Sequence, residues 1–234
     1  MYDQLPAQAT PGLTNSFASL ALFVALGIWP LLTWVATQNL KQVLKVFVGA
    51  ACWLSFTHFL AQSGVLKFGP VPPPIVPLFL VATVLTVWFS LFSSVGRTIA
   101  DKSPLPLLVG LQGFRLFLEF VLYRAFKEGL LPAQMTWDGR NFDIMTGFTA
   151  IPLAIAIARG FEMPKQVLRF WNFVGTLLLI NVVSVAILSM PSPIRSFLND
   201  PPVTWVAFSP YVWLPTVFVT SALAGHLMLF RRLR

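Results

Sequence analysis

The sequence predicts an all-α membrane protein, a single polytopic domain over residues 1–234 built as a bundle of about seven transmembrane helices. Three observations carry that reading. Hydrophobic residues make up 56% of the chain and charged residues 10%, where a soluble domain carries about 25% charged residues. The mean hydropathy is +0.77, and the apolar residues gather into runs of about 20, the length that crosses a bilayer as an α-helix. Breakers stand between the runs: Gly69-Pro70 with Pro72, Pro73 and Pro74, then Ser103-Pro104, Pro132, Pro164, and Pro191 with Pro193.

In chain order the spans are expected at about 15–37, 43–63, 74–96, 104–131, 143–159, 167–190 and 210–230. The first follows a segment without Lys or Arg, a poor n-region for a cleaved signal peptide, so it is expected to be retained. The second holds Cys52, the only cysteine, which excludes an internal disulfide. The third starts after the proline cluster and the fourth after Ser103-Pro104; the fourth carries Arg115 and Glu119 within an apolar run. The fifth is the shortest. The sixth and seventh are continuous apolar stretches, the last ending at Arg231-Arg232. No internal repeat is visible, which counts against an inverted-repeat transporter.

Basic residues set the expected orientation. Lys41, Lys45, Arg97, Lys102, Arg159, Lys165, Arg169, Arg231, Arg232 and Arg234 share one side, and Lys67, Arg124, Lys127, Arg140 and Arg195 the other. The richer side is cytoplasmic by the positive-inside rule, leaving the N-terminus outside and the C-terminus inside. Trp137, Trp205 and Trp213 then fall near the outer interface, and Trp34 and Trp171 near the inner one. The formal charge of +8 is spread over alternate loops, so nucleic acid is not an expected partner. The seventh span has no lysine for a retinal Schiff base, which excludes a rhodopsin.

The fourth span contains the chemistry. Gln112, Arg115, Glu119 and Tyr123 fall within an arc of about 80° at helical spacing. A charge at mid-bilayer costs about 2.5–3.5 kcal/mol on insertion scales, so the stripe must face the other helices. Arg115 and Glu119 are then expected to pair at i,i+4, with Arg124 and Lys127 snorkelling to the headgroups. At 1.5 Å per residue, Glu119, His58, Asn181 and Thr220 reach similar heights, about 16–22 Å from the inner end. These positions suggest an outward-opening pocket between the second, fourth, sixth and seventh spans, formed by Arg115, Glu119, His58 and Asn181 with Gln112 and Tyr123. The competing reading is helix-to-helix glue, at about 0.6 kcal/mol per hydrogen bond, and for His58 a packed histidine. His226, near the inner end of the seventh span, reads as structural.

The loop Met135-Thr-Trp-Asp-Gly-Arg-Asn-Phe-Asp143 adds polar groups. Asp138-Gly139 is a turn signal, and Asn141 or Asp143 is suited to cap the fifth span. Arg140 and Asp138 are candidates for a lid or an anion contact. The string MTWDGRNFD resembles a segment of uncharacterised bacterial multi-spanning inner-membrane proteins. The resemblance covers this loop and its flanks and implies no activity. The segment from Ser192 to Ser209 is expected as a short amphipathic interfacial helix.

Two histidines at different depths do not supply a zinc site, so no metal is expected. No cofactor is expected either, although a haem on one histidine stays open. No nucleophile elbow, phosphate loop or dinucleotide fingerprint occurs. The leading functional expectation is an inner-membrane, multi-pass protein that binds or transports a small solute, with Glu119 as the proton- or cation-sensitive group. Alternatives are an intramembrane enzyme acting on a lipid or isoprenoid through His58 and Glu119, and an accessory or assembly subunit. The expected partners are membrane lipids, together with a small solute or a protein.

Overall fold

The structure, a computed structural model, describes residues 9–69 and 72–234. Among the described residues, eight helices follow one another: α1 Pro11–Thr37, α2 Leu40–Gln62, α3 Ile75–Phe92, α4 Ser94–Lys102, α5 Leu105–Lys127, α6 Ile144–Ala158, α7 Lys165–Ser189 and α8 Leu214–Arg232. Six of them (α1, α2, α3, α5, α7 and α8) are long and apolar enough to cross a membrane. Helix α6 is apolar but has 15 residues, about 22 Å of rise against a hydrocarbon core of about 30 Å. About seven spans were expected, the fifth the shortest; that one is an apolar helix too short to count with the six.

Helix α8 is the hub. It packs on α3, α4 and α7 and touches α5, and most of its residues are buried. Helix α1 packs on α2, α4 and α5. Side chains tie the outer helices to the hub: the Trp29 indole N–H donates to Ser221 Oγ at 2.9 Å, and that of Trp53 to the Thr216 carbonyl at 3.0 Å. Two stretches are wound more loosely, as π turns: Phe23–Ile28 in α1 and Leu214–Val219 in α8. Pro215 in the second lacks an amide to donate.

Two local features explain departures from the expected boundaries. The third span was expected to reach residue 96, but α3 stops at Phe92. Ser93 turns extended, accepts the Gly96 amide at 2.9 Å on its hydroxyl and so starts α4. A Cβ on Gly96 would lie 2.0 Å from the Phe89 carbonyl oxygen, so the reversal needs glycine. In the 192–209 segment, the only helical turn is Trp205–Ala207, and Arg195 donates to the carbonyls of Phe197 and Asn199. The expected amphipathic helix is absent there because the prolines and these backbone contacts hold an irregular loop.

Helices α5 and α6 cross closely. A Cβ on Gly147 would stand 2.3 Å from the Leu116 amide nitrogen, and Gly113 faces Ile151. Small residues let backbones approach in this way. Helix ends are pinned by ion pairs whose carboxylates, Asp101 and Glu128, lie outside the spans. Arg231 donates twice to Asp101, at 2.8 Å each, and these hydrogen bonds with the nearby guanidinium hold the Asp101 carboxyl below its ordinary value. At Glu128, burial opposes ionisation. The Thr10 amide and hydroxyl, at 2.9 and 2.8 Å, and Arg124 outweigh it and lower the carboxyl as well.

Replacing Gly147 with Leu is expected to destabilise the protein by about 1–3 kcal/mol through overpacking, read as a lower thermal midpoint in detergent. A carboxyl held low contributes stability above its ordinary value and loses it as pH falls through the folded-state value. Asp101→Asn should therefore lower the thermal midpoint at neutral pH. The difference should shrink as the pH falls below the ordinary aspartate range and vanish once it is below the lowered folded-state value.

Candidate functional site

Arg115 is fully buried at the centre of the bundle, and its guanidinium is satisfied from four residues on four chain segments. Its Nε donates to Asp143 Oδ2 at 2.6 Å while Nη2 faces Asp143 Oδ1, a bidentate ion pair. Its Nη1 donates to Gln112 Oε1 at 3.3 Å and to His226 Nε2 at 2.8 Å, and Nη2 reaches the Gly175 carbonyl at 3.4 Å. Arginine has no acceptor, so His226 Nε2 must accept, and the ring proton sits on Nδ1. That proton is donated to Asn172 Oδ1 at 2.8 Å, and Asn172 Nδ2 donates back to the His226 carbonyl at 3.1 Å. His226 is thereby held as the neutral Nδ1–H tautomer. Gln112 completes the shell by donating to the Ala222 carbonyl at 3.0 Å.

Glu119, one turn further along α5, is equally buried but bound differently. Both its oxygens accept from one nitrogen, Asn141 Nδ2, at 2.8 and 2.9 Å. The same nitrogen donates to the Met135 carbonyl, and Asn141 Oδ1 accepts the Asp143 amide at 3.0 Å. The expected Arg115–Glu119 pair is therefore not made. Arg115 turns to Asp143, and among the described residues Glu119 has no ion-pair partner. The physical reason is reach: a side chain on a helix leans towards its own N-terminus, which carries the guanidinium back beside Gln112 and away from Glu119.

The polar loop takes part because it dips inward. The Asp138-Gly139 turn forms, with the Gly139 amide donating to the Thr136 carbonyl at 3.0 Å, and a Cβ on Gly139 would meet the Ala133 carbonyl oxygen at 2.4 Å. After the turn the chain descends, so Asn141 and Asp143 are buried and α6 starts inside the bundle. Asp143 occupies the N-cap position of α6 without a side-chain cap bond; the expected capping role is displaced by the pair with Arg115. Asp138 and Arg140 stay exposed, and the Arg140 guanidinium lies 5.2 Å from the Phe197 ring centroid.

Other candidates stand apart from this cluster. His58 is exposed on α2 and bonds to Ser209 through Nδ1. Asn181 donates to the Arg140 carbonyl at 2.7 Å, and Tyr123 stacks on Trp137 at 4.4 Å. Equal height did not bring these residues together because they face different sides of the bundle. Three partners were missed: His226, Asn172 and the Gly175 carbonyl. Counting rise locates Cα atoms only. Helices α5 and α8 are antiparallel, so Arg115 leans down and His226 leans up, and their tips meet although the backbone heights differ by about 9 Å. Gly175 leaves room for the ring, since a Cβ there would lie 2.8 Å from His226 Cε1.

A cavity touches the cluster. It encloses about 70 Å³ and is lined by α3, α5, α7 and α8, with Met135, Asp143 and Val206 from the loops. Helix α2, expected as a wall, contributes nothing to it. The lining is apolar except for Arg115, Glu119 and Asp143. Helices α3 and α7 barely meet, so the cleft opens sideways between Val76 and Phe79 on one wall and Val183 and Ile187 on the other. Its mouth faces the flank of the bundle rather than its end. A larger space, about 310 Å³, lies between α2 and α3 over α1 and α8, and no ionisable side chain lines it.

A sequence-family model described as Domain of unknown function (DUF8737) matches residues 72–234. The matched stretch begins before α3 and contains every residue of the buried cluster. No curated protein and no solved structure matches the chain.

Removing one partner of a buried ion pair typically costs about 3–5 kcal/mol, because the other charge is left unpaired. Arg115→Met and Asp143→Leu should each show a loss of that size in denaturation, and the double substitution should recover much of it. Arg115→Lys is expected to fail as well, since an ammonium cannot form the two-pronged contact.

Proposed function

Because the chain belongs to the DUF8737 family, whose description assigns no activity, its role has to come from its own geometry, and we propose that it binds the apolar chain of a membrane-resident molecule in the α3–α7 cleft. One observation carries this reading: two neighbouring walls fail to close, and the floor between them ends on a buried carboxyl. A soluble solute is a poorer fit, because the mouth is walled by Val, Phe and Ile side chains and lies along the apolar flank of the helices. The loosely wound turn of α8 supplies Leu214, Pro215, Phe218 and Val219 to the same cleft, and such turns are frequent at functional sites.

The orientation that the loop charges support has the N-terminus outside and the arginine-rich end of α8 in the cytoplasm. Glu119 and Asn141 then lie in the outer half of the membrane, below a loop that closes the outer end of the cleft. A structural reading has one observation in its favour: Arg115 is so fully satisfied that its pair with Asp143 serves as a keystone. Both readings hold together, since the keystone fixes the floor on which Glu119 stands. The isoprenoid-enzyme reading lacks its proposed acid–base pair, because His58 is exposed on α2 while Glu119 is buried.

The test uses the protein in nanodiscs of zwitterionic lipid and dodecanol carrying a mid-chain diazirine. Photolabelling is expected on the facing walls of α3 and α7, and Ala186→Trp, which fills the cleft, should abolish it. Labelling spread evenly over the outside of the bundle, unchanged by Ala186→Trp, would refute the reading.

A further inference from the structure

We infer that the α3–α7 cleft selects a single-chain amphiphile with a cationic amine head, and that a proton competes with that head for Glu119. The inference rests on the proposed chain-binding role of the cleft and adds what its inner end recognises.

The charge count comes first. Arg115 and Asp143 cancel in their bidentate pair. His226 is neutral, because Nε2 accepts from Arg115 and Nδ1 donates to Asn172. Glu119 is left with a single amide nitrogen shared between its two oxygens. An isolated carboxylate out of water is too costly to persist, so it takes up a proton or a cation. Only two charged side chains share the cleft with Glu119: Arg115 from its own helix and Asp143 from the start of α6; the residues facing it from α3, α7 and α8 are uncharged. Arg115 has its donors committed, so the cleft offers no free donor for a phosphate, sulfate or carboxylate head. An ionised Glu119 at the inner end would repel one.

The donors of the head sharpen the choice. An ammonium has three donors and can reach the Glu119 lone pairs that Asn141 leaves open. The aliphatic tail then leaves between α3 and α7, where only apolar side chains line the way. Proton and amine use the same two oxygens, so each displaces the other.

The experiment compares dodecylammonium, dodecanol and dodecanoate, each with a mid-chain diazirine, in the same nanodiscs. Yields at α3 and α7 are normalised to lipid labelling. The amine is expected to label the cleft more than the alcohol by about fivefold or more, the lower end of a typical coupling between sites, and the acid least. Moving from mildly alkaline to mildly acidic pH should suppress amine labelling in the native protein. In Glu119→Gln, which keeps an oxygen for Asn141, the amine should fall to the level of the alcohol and lose its pH dependence. Equal, pH-independent labelling of the native protein by amine and alcohol within the cleft would overturn the amine selectivity and leave chain binding intact. Absence of cleft labelling by all three probes would overturn chain binding itself. The pH series on the native protein decides the matter even where Glu119→Gln does not fold.

Discussion

A guanidinium cannot be left unpaired in an apolar interior, and the centre of this structure follows from that constraint. Arg115 has no water to turn to, and its donors must be met by protein. Gln112 meets one from the preceding turn of the same helix, while His226 and Gly175 meet others from α8 and α7. The remaining charge is answered by Asp143, which lies beyond a loop and reaches Arg115 only because that loop folds inward. The burial cost of one side chain thus sets the path of residues 133–143. It also explains why α6 is short: its first turn begins beside the ion pair, well inside the bundle. The close crossing of Gly147 over Leu116 is what lets α6 start there.

Arg115 and Glu119 lie four residues apart and meet opposite fates. The arginine is enclosed by complementary groups from several elements, and this rigidity suits a structural centre. The glutamate has one hydrogen-bonding neighbour and an open side. Ionisable groups buried without full compensation cluster at functional sites and also occur in structural networks. The open side exists because α8 packs on both α3 and α7 while holding them apart. Where two helices rest on a third and scarcely touch each other, a cleft between them along the flank of the bundle is the geometric consequence. The loosely wound turn of α8 around Pro215 lies in its floor, and the two loops that carry Met135 and Val206 complete its lining.

The sequence by itself determined the class of protein, the order and rough limits of the apolar helices, and the inward turn of the stripe on the fourth. Hydrophobic run length and the cost of charge in oil are properties of local sequence, so they can be read one segment at a time. The short fifth span and the Asp138-Gly139 turn after Trp137 were visible for the same reason. Partner choice was decided only by the tertiary structure. The spacing of Arg115 and Glu119 suggested a mutual pair, yet Asp143 took the arginine and Asn141 the glutamate. His58 matched the height of Glu119 and lies on another side, whereas His226 missed it in height and lies at the cluster. Height along a helix fixes one coordinate of a side chain. The direction it leans, the helix it faces and the inward course of a loop are set by packing among segments far apart in the chain, and no single stretch of residues carries that information.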